Sequence, residues 1–469
     1  MNYHGLIAAG NPRPVHFMGI AGAGMCALAE LFVRRGVPVT GCDSNPLSNI
    51  EDLRQLGIDV WFGHDPLHVH GVRAIVVTSA VPKDHPELIE ARTLGIPVVR
   101  RAEALGAAIA GGRVVGVAGT HGKTTTTVMT TEALKAAGLD PTGVVGGRVA
   151  AWQGNLSGGS NDIFVVEADE YDRSFLALTP TVAVVTTVEA DHLDIYRDLA
   201  DIREAFATFV QDALYVILGA DDWGASTLPV PNTAEVIRYG INSPDARLLA
   251  KAVRTTPTGS VFDVEYDGDA LGVVQLNVPG LHNVRNALAA IAAGLALGAT
   301  LPCMAPGLSA FVGVERRFQR IGDMAGITVI DDYAHHPTEI AVTLEAARLA
   351  FPGRRILAAF QPHLFTRTRD FASEFGAALA AADAVYLTDL YPAREQPIPG
   401  ISAQLIADAV TRAHGPLVWQ GSRETLATAL ARDVTAQDVV LTLGAGDITR
   451  TGPELLQILR SQSTESGGS

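Results

Sequence analysis

The chain has 469 residues, of which 48% are hydrophobic and 18% charged, so it contains enough apolar material for several buried cores. Its net charge of −15 argues against a basic face for nucleic acid or for an anionic membrane. At roughly 150 residues per domain, this length predicts about three domains.

Cysteine usage and apolar runs indicate where the protein works. Three cysteines, Cys26, Cys42 and Cys303, lie far apart, which is typical of a reduced intracellular protein. Residues 1–14 contain no basic segment leading into an apolar run, so we expect no targeting signal. The longest apolar stretch, Ala287–Ala299, is shorter than the roughly 20 residues of a membrane span and predicts a buried helix. We expect a cytoplasmic protein that binds neither nucleic acid nor membrane.

Short apolar β-type runs alternate with Ala- and Leu-rich helical segments along the chain. Val15–Ile20 precedes a predicted helix at Met25–Arg35, and Val114–Ala118 precedes one at Lys123–Ala137. This alternation predicts α/β units with largely parallel sheets, except at Leu248–Leu276, whose composition favours antiparallel strands. The alternation of strands and helices begins again near residues 112 and 318. This predicts three domains, called the first, second and third blocks below, at residues 1–111, 112–317 and 318–469.

A glycine-rich turn stands in the first block, in HFMGIAGAGM (His16–Met25). Gly19, Gly22 and Gly24 follow a strand and open a helix, and Asp43 follows the next strand, as in a dinucleotide-binding fingerprint. The spacing G-x-x-G-x-G is not that of the fingerprint, so we interpret the turn as a site for a diphosphate-bearing ligand. An NAD site and a turn with only a packing role are the alternatives. His16 could equally be a buried histidine of the core or a residue that contacts the ligand.

The second block opens with Gly119–Thr124, GTHGKT, between a strand and a helix. Backbone amides and the helix N-terminus would bind phosphate there. Lys123 would reach the β- and γ-phosphates, and the Thr124 hydroxyl would bind Mg²⁺. Two residues rather than four separate the glycines, which indicates a subtype of phosphate loop. An ordinary strand-to-helix turn is the alternative.

Carboxylates and a histidine follow two further predicted strands. Glu167 ends the strand Ile163–Val166, and His192 follows the strand Val182–Val188. The carboxyl ends of parallel strands meet at one edge of a sheet, so both side chains would converge beside Thr124 and hold Mg²⁺. The alternative is that they lie in solvated loops.

Together these motifs resemble the ATP-dependent Mur ligases of peptidoglycan synthesis, whose phosphate loop has the same shortened form. GLHNVRNALAA (Gly280–Ala290) is similar to the family's segment near the ATP base and ribose. DDYAHHPTEI (Asp331–Ile340), FQPHLFTRTRDF (Phe360–Phe371), YPAREQPIPGIS (Tyr391–Ser402) and LGAGDI (Leu443–Ile448) resemble the alanine-adding branch.

The resemblance implies three α/β domains: a Rossmann-like UDP-substrate domain, a central P-loop ATPase domain and a Rossmann-like amino-acid domain. It implies ligation of L-alanine to the lactyl carboxylate of UDP-N-acetylmuramate through an acyl phosphate, with ATP and Mg²⁺. Monomer and dimer both stay open.

The resemblance also implies roles for individual residues. The ATP-binding set is Gly119, Thr120, His121, Gly122, Lys123, Thr124, Thr125, Asn283, Asn286, Arg317 and Asp332. The UDP-substrate set is Gly19, Gly22, Gly24, Asp43 and Ser79. Thr124, Glu167 and His192 would hold metal, and His363 and Arg367 would bind alanine. The catalytic set is Lys123, Glu167, His192, His335 and His336.

Several of these roles have alternatives. His335 and His336 could instead be a loop pair that caps a helix and has no catalytic part. Arg367 could instead lie on a solvated face. Spacing does not distinguish Arg316 from Arg317. Three other functions compete: a sibling ligase that adds a tripeptide or another amino acid, an NAD-dependent oxidoreductase and a non-catalytic nucleotide-binding regulator.

Overall fold

The computed structural model describes residue 5 and residues 10–45, 49–393 and 395–466. Its strands form three sheets that follow one another along the chain, each packed against helices. The α/β class predicted from the alternation of strands and helices is confirmed. No helix in these ranges is both long enough and apolar enough to cross a membrane.

The first sheet has five parallel strands in the order β3-β2-β1-β4-β5. The strand order reverses direction between β1 and β4, and ligands bind open α/β sheets at such a point. Its elements are β1 Val15–Met18, α1 Ala23–Arg34, β2 Val39–Asp43, α2 Asn49–Gln55, β3 Asp59–Phe62, β4 Ala74–Val77, α3 Pro86–Thr93, β5 Val98–Arg100 and α4 Arg101–Ile109.

The second sheet has ten strands in the order β15-β14-β13-β12-β11-β10-β6-β9-β7-β8. Its elements are β6 Arg113–Ala118, α5 Lys123–Ala136, β7 Thr142–Val149, β8 Gly154–Ser157, β9 Ile163–Glu167, β10 Val182–Val185, α6 Leu199–Val210, β11 Tyr215–Gly219, α7 Trp223–Ser226, β12 Glu235–Gly240, β13 Leu248–Thr256, β14 Gly259–Tyr266, β15 Asp269–Leu276, α8 Leu281–Ala296 and α9 Leu301–Ala310. Strand β13 runs parallel to β12, whereas the pairs β13–β14 and β14–β15 are antiparallel, as predicted for Leu248–Leu276.

The third sheet has six strands in the order β16-β17-β21-β18-β19-β20, and only the edge strand β16 is antiparallel. Its elements are β16 Gln319–Met324, β17 Ile327–Asp332, α10 Pro337–Ala350, β18 Ile356–Phe360, α11 Phe365–Leu379, β19 Ala384–Thr388, α12 Gln404–Arg412, β20 Leu417–Gly421, α13 Arg423–Asp433, β21 Val439–Leu443 and α14 Thr451–Ser466.

Two predicted strands end earlier than their apolar runs. The strand predicted at Val15–Ile20 stops at Met18, because Gly19 turns the backbone with φ +71°. The strand predicted at Val182–Val188 stops at Val185, because Thr186 leaves the sheet and its hydroxyl donates to the carbonyl oxygen of His121. Both early endings place a loop at the carboxyl edge of a sheet.

The cores explain how the sheets are joined. Helix α1 packs against β7 and β8 of the second sheet, so one apolar core runs from the first sheet into the second. The predicted buried helix is α8, which lies in the core on the other face of the second sheet. The third sheet has its own apolar clusters on its two faces.

Candidate active site

The segment Gly119–Thr124, called the phosphate loop below, connects β6 to α5. Gly119 has φ +137°, and a Cβ at this position would overlap the Thr186 hydroxyl. Gly122 has φ +81°, and a Cβ there would come within 2.6 Å of Asn286 Oδ1. Both glycines are therefore required by backbone angle and by space. They allow the loop to turn sharply into the first residue of α5, Lys123.

Lys123 is mostly buried and is held by two backbone carbonyl oxygens, those of Gly119 and Thr120, and by the carboxylate of Glu170. Its Nζ donates to the carbonyl oxygen of Gly119 at 2.8 Å and lies 2.8 Å from Glu170 Oε2. Burial opposes its charge, but Glu170 and Asp169 outweigh this and raise the pKa of Lys123 to about 12. The ammonium is therefore charged at neutral pH and fixed at the phosphate loop.

Thr124 and Glu167 are in direct contact, as the motif analysis predicted. Thr124 Oγ1 donates to Glu167 Oε1 at 2.7 Å, and the Gly146 N–H donates to Glu167 Oε2 at 2.6 Å. A hydroxyl and a carboxylate are thus paired beside the phosphate loop. Mg²⁺ prefers such oxygen ligands, so these two residues fit a magnesium ion.

His192 lies on the other side of Lys123. Its Nε2 is 3.7 Å from Glu170 Oε1 and 3.7 Å from Asp191 Oδ2. Its buried Nδ1 has no hydrogen-bond partner among the described residues. Burial lowers the pKa of His192, so the ring is neutral at neutral pH. Glu170 therefore connects His192 to Lys123, whereas Glu167 contacts Thr124.

A buried ion pair joins this region to the third sheet. Arg367, on α11, places its guanidinium 2.7 Å from Asp191 Oδ1. Burial opposes ionisation of Asp191, but Arg367 outweighs it and holds the pKa of Asp191 well below its usual range. Arg367 is 5% exposed, so it is not part of a solvated face. Its Nη1 is 3.5 Å from His363 Nδ1, and the His363 ring stacks on Tyr391.

His121 of the phosphate loop contacts acidic residues from two sheets. Its Nε2 is 3.5 Å from Glu189 Oε2, and its Nδ1 is 3.4 Å from Glu339 Oε1. Burial opposes its protonation, but the two carboxylates outweigh this and raise the pKa of His121 to about 9. The hydroxyl of Thr338 also donates to Glu189 at 2.7 Å. The start of α10 is therefore fastened to the phosphate loop.

The predicted histidine pair lies at the start of α10. His335 Nδ1 is 3.1 Å from Glu339 Oε2. His336 caps the helix, since its Nδ1 accepts from the Thr338 N–H at 3.4 Å, while its buried Nε2 has no hydrogen-bond partner within the described ranges. Burial and the nearby His121 lower the pKa of His336 to about 4, which keeps the ring neutral. His336 thus caps a helix and still has an unpaired nitrogen at the site.

Two cavities meet at the Thr124–Glu167 pair. The first cavity, about 570 Å³, runs from the turn Gly19–Gly24 to Gly146, Glu167 and Asp169. The second cavity, about 670 Å³, runs from the phosphate loop to the third sheet. Glu167 lines the first cavity and Thr124 lines the second. A ligand bound in the first cavity would therefore approach a ligand bound in the second cavity at Thr124 and Glu167.

The first cavity contains most of the predicted UDP-substrate set. Gly19, Gly22, Gly24 and Asp43 line it. Asp43 also shapes the turn, because its carboxylate accepts from the Ala21 N–H at 3.0 Å. Ser79 is exposed, and its neighbours Thr78 and Ala80 line the cavity instead. Arg101, which the motif analysis missed, also lines it and reaches over Gly24.

The second cavity contains the predicted nucleotide contacts. Asn283, Asn286, Arg317 and Asp332 line it. Burial raises the pKa of Asp332 to about 6, although Arg317 opposes the rise. The Asp332 carboxylate accepts from the Phe318 N–H at 2.7 Å, so it also fixes the connection into the third sheet.

The structure distinguishes the two adjacent arginines. Arg316 turns away from the second cavity, where its Nε lies 3.1 Å from Asp331 Oδ2 and its Nη2 donates to the Gly444 carbonyl oxygen at 2.6 Å. Arg317 lines the cavity and lies 3.5 Å from Glu339. Arg317 is therefore the arginine placed to contact a ligand there.

Sequence reasoning missed the acidic partners of these cations. Glu170 follows Glu167 by three residues and Asp191 directly precedes His192, so both acidic clusters were visible in the sequence. The partner of Asp191 lies 176 residues away in the sequence, and no spacing rule connects them. Glu339 lies within the quoted DDYAHHPTEI, and its contact with His121 likewise depends on how the sheets pack.

Three family models match the chain in order. They are the Mur ligase family catalytic domain at residues 14–113, the Mur ligase middle domain at 117–294 and the Mur ligase glutamate ligase domain at 316–446.

Relatives match over almost the whole chain. The UDP-N-acetylmuramate–L-alanine ligase of Cutibacterium acnes is 44% identical over 457 residues, which is 96% of this chain and 97% of that protein. The enzyme of the same name from Acidothermus cellulolyticus is 45% identical over 452 residues, covering 95% of this chain and 94% of that protein.

Solved structures are similar over the same length. The UDP-N-acetylmuramate–alanine ligase of Thermotoga maritima superimposes with a TM-score of 0.81 at 29% identity, covering 96% of this chain and 99% of the other. A murein peptide ligase from Psychrobacter arcticus gives a TM-score of 0.71 at 26% identity, covering 95% and 98%.

Proposed function

This chain belongs to the Mur ligase family, and we propose that it joins L-alanine to the lactyl carboxylate of UDP-N-acetylmuramate at the expense of ATP. The relatives named above share this activity in their names, at 44–45% identity over 94–97% of their length. We assign residues 1–111 to the UDP substrate, 112–317 to ATP and 318–469 to the amino acid.

The observation that carries this proposal is the meeting of two cavities at Thr124 and Glu167. A ligase that activates a carboxylate needs the acceptor and the phosphoryl donor to approach at one point. The first cavity would hold the sugar nucleotide, with its lactyl carboxylate directed to Glu167. The second would hold ATP, with its phosphates at the phosphate loop. An oxidoreductase would leave the second cavity and Lys123 without a role.

The chain's residues would neutralise charge and position groups. The γ-phosphoryl group passes to the lactyl carboxylate, and the alanine amine then displaces phosphate from the acyl carbon. Lys123 supplies a fixed positive charge where the phosphates would lie, and Arg317 supplies a second one from the connection into the third block. His336 is neutral and has an unpaired Nε2, so it offers an acceptor to the alanine amine. The Arg367 guanidinium would pair with the alanine carboxylate while it also keeps its ion pair with Asp191.

Magnesium would be held by Thr124 and Glu167, whose oxygens are already paired at 2.7 Å. A bound Mg²⁺ would supply Lewis-acid stabilisation of the transferring phosphoryl group. His192 would contribute from the side of Glu170, where its Nδ1 has no partner among the described residues.

Phosphate release tests this proposal. The protein is incubated with ATP, Mg²⁺ and UDP-N-acetylmuramate, and with L-alanine, glycine, L-serine, D-glutamate or a tripeptide in turn. We expect release that needs both the sugar nucleotide and L-alanine, with a product heavier by one alanine residue in mass spectrometry. Release only with the tripeptide would assign the chain to the murein peptide ligases. ATP binding without release in any mixture would indicate a non-catalytic regulator.

A further inference from the structure

A compact group of metal-binding side chains lies in the first block, apart from the reacting centre. It consists of His16 on β1, Cys42 on β2, His68 in the turn after β3 and Glu87 in the first turn of α3. Each offers one ligand atom, and these four atoms lie within 4.8 Å of one another. Four separate segments of the chain therefore converge on one point.

The distances from Cys42 within this group match a tetrahedral zinc site. With Zn–S about 2.3 Å and Zn–N or Zn–O about 2.0–2.1 Å, tetrahedral ligands stand about 3.3–3.6 Å apart. His16 Nε2 lies 3.4 Å from Cys42 Sγ, which lies 3.5 Å from either oxygen of Glu87. His68 Nδ1 lies 2.9 Å from Glu87 Oε1, a hydrogen-bond distance that would lengthen by about 0.4 Å when both groups bind one ion. Thiolate, carboxylate and imidazole are all zinc ligands, and the group supplies four of them, the number of a structural zinc site.

Charge also favours a cation here. His16, Cys42 and Glu87 are each 0% exposed, and the charged partners that the structure gives Glu87 are His64 and His68. Neither histidine is a permanent cation, and a buried carboxylate is costly without one. A divalent ion bound to one thiolate and one carboxylate would make the buried group neutral overall.

We propose that His16, Cys42, His68 and Glu87 bind one Zn²⁺ ion, which fastens together the walls of the first cavity. Asp43, next to Cys42, lines that cavity, as do His64 and His85, which flank Glu87. The ion would fix the ends of β2 and β3 relative to α3. The site is structural, because none of its four ligands lines the cavities that contain Glu167 and Thr124.

Metal binding by the full-length protein tests the proposal. The chain is stripped with a chelator, reloaded with Zn²⁺ or Co²⁺ in excess Mg²⁺, and passed through gel filtration before metal analysis. We expect about one zinc per chain and, with cobalt, a sulfur-to-metal charge-transfer band in the near ultraviolet. Cys42→Ser should remove that band and weaken zinc binding about 100-fold or more. Cys303→Ser, at an exposed cysteine, is the matched control and should change neither.

A second variant protects the test against misfolding. His68→Gln keeps the thiol and alters the least buried ligand, so it should keep the cobalt band but bind zinc about 10–100-fold more weakly. Parent protein that retains no zinc, or an unchanged cobalt band in folded Cys42→Ser, would overturn the proposal and leave only a hydrogen-bonded cluster. Should Cys42→Ser fail to fold, unchanged zinc affinity in His68→Gln would overturn it instead. These readouts do not depend on ligase activity.

Discussion

Lys123 lies against two backbone carbonyl oxygens and a buried carboxylate. It does not line the first cavity, whose wall reaches only to Gly146, Glu167 and Asp169. We expect Lys123→Ala to lower ATP turnover by about 10²–10³-fold or more, because a fixed charge at the phosphates is lost. Binding of UDP-N-acetylmuramate, measured by calorimetry, should change little.

The control for this variant is Lys135→Ala, in the last turn of the same helix, where Lys135 pairs with Glu132. It should leave ATP turnover and the binding of UDP-N-acetylmuramate near the parent values. Removal of Lys123 leaves Glu170 buried without its cation, which costs about 3–5 kcal/mol, so the fold must be checked by circular dichroism. If a folded Lys123→Ala variant lost affinity for ATP and for UDP-N-acetylmuramate equally, the separation of the two sites would be contradicted.

His121 gives a pH-dependent contribution to stability. Burial opposes protonation of His121, but the carboxylates of Glu189 and Glu339 outweigh it and raise the pKa from 6.5 to about 9 in the folded protein. The stabilisation is therefore complete below pH 6.5 and is lost as the pH rises to 9, by up to about 3 kcal/mol. Thermal unfolding should show the parent losing stability over this range relative to His121→Gln. Parallel curves for the two proteins would show that His121 is not protonated in the fold.

Local motifs predicted which residues lie at the site but not all of their partners. Thr124 and Glu167 were placed together because both follow parallel strands, and they touch at 2.7 Å. Arg367 was predicted to face alanine, yet it is buried against Asp191, which depends on how two sheets pack. Ser79 was predicted from resemblance alone, and the structure places its neighbours in the cavity wall.

At the scale of elements, apolar runs predicted where strands exist better than where they end. Val15–Ile20 and Val182–Val188 are mostly apolar, but a positive φ at Gly19 and the hydroxyl of Thr186 end the strands inside them. Such endings are set by contacts with other loops, which a single segment does not contain. They matter because ligands bind at these strand ends.

The segment that leads into the third sheet carries two arginines with separable roles. Arg316 pairs with the fully buried Asp331, so Arg316→Gln should destabilise the protein by about 3 kcal/mol or more. Arg317 lines the second cavity, so Arg317→Gln should weaken ATP binding about 10–100-fold through a lost charge-assisted contact. Denaturant unfolding and nucleotide titration of both variants measure the two effects.

Each of these variants is the control for the other, because the residues are adjacent and the substitution is the same. Loss of ATP binding in folded Arg316→Gln, with Arg317→Gln unaffected, would reverse the two roles. Equal effects of both variants on stability and binding would mean that the segment acts as one unit.

At the scale of the whole molecule, the third block is fastened to the second by polar contacts around the phosphate loop. Thr338 donates to Glu189 at 2.7 Å, and Arg367 lies 2.7 Å from Asp191. Thr338 and Glu189 line the second cavity, so a nucleotide could enter more easily if their contact opened. The covalent connection through residues 312–318 would allow the block to move as a unit.

We therefore expect the protein to become more compact when an ATP analogue and UDP-N-acetylmuramate are both bound, as measured by the radius of gyration in small-angle scattering. Asp191→Asn removes the charge that pairs with Arg367 and should reduce the compaction. Asp383→Asn alters a more exposed pair, Asp383–Arg348, within the third block alone and should leave the compaction unchanged. An identical radius of gyration with and without both ligands would show that the contacts around the phosphate loop persist throughout the cycle. In that case substrates must reach Thr124 and Glu167 through the open ends of the two cavities.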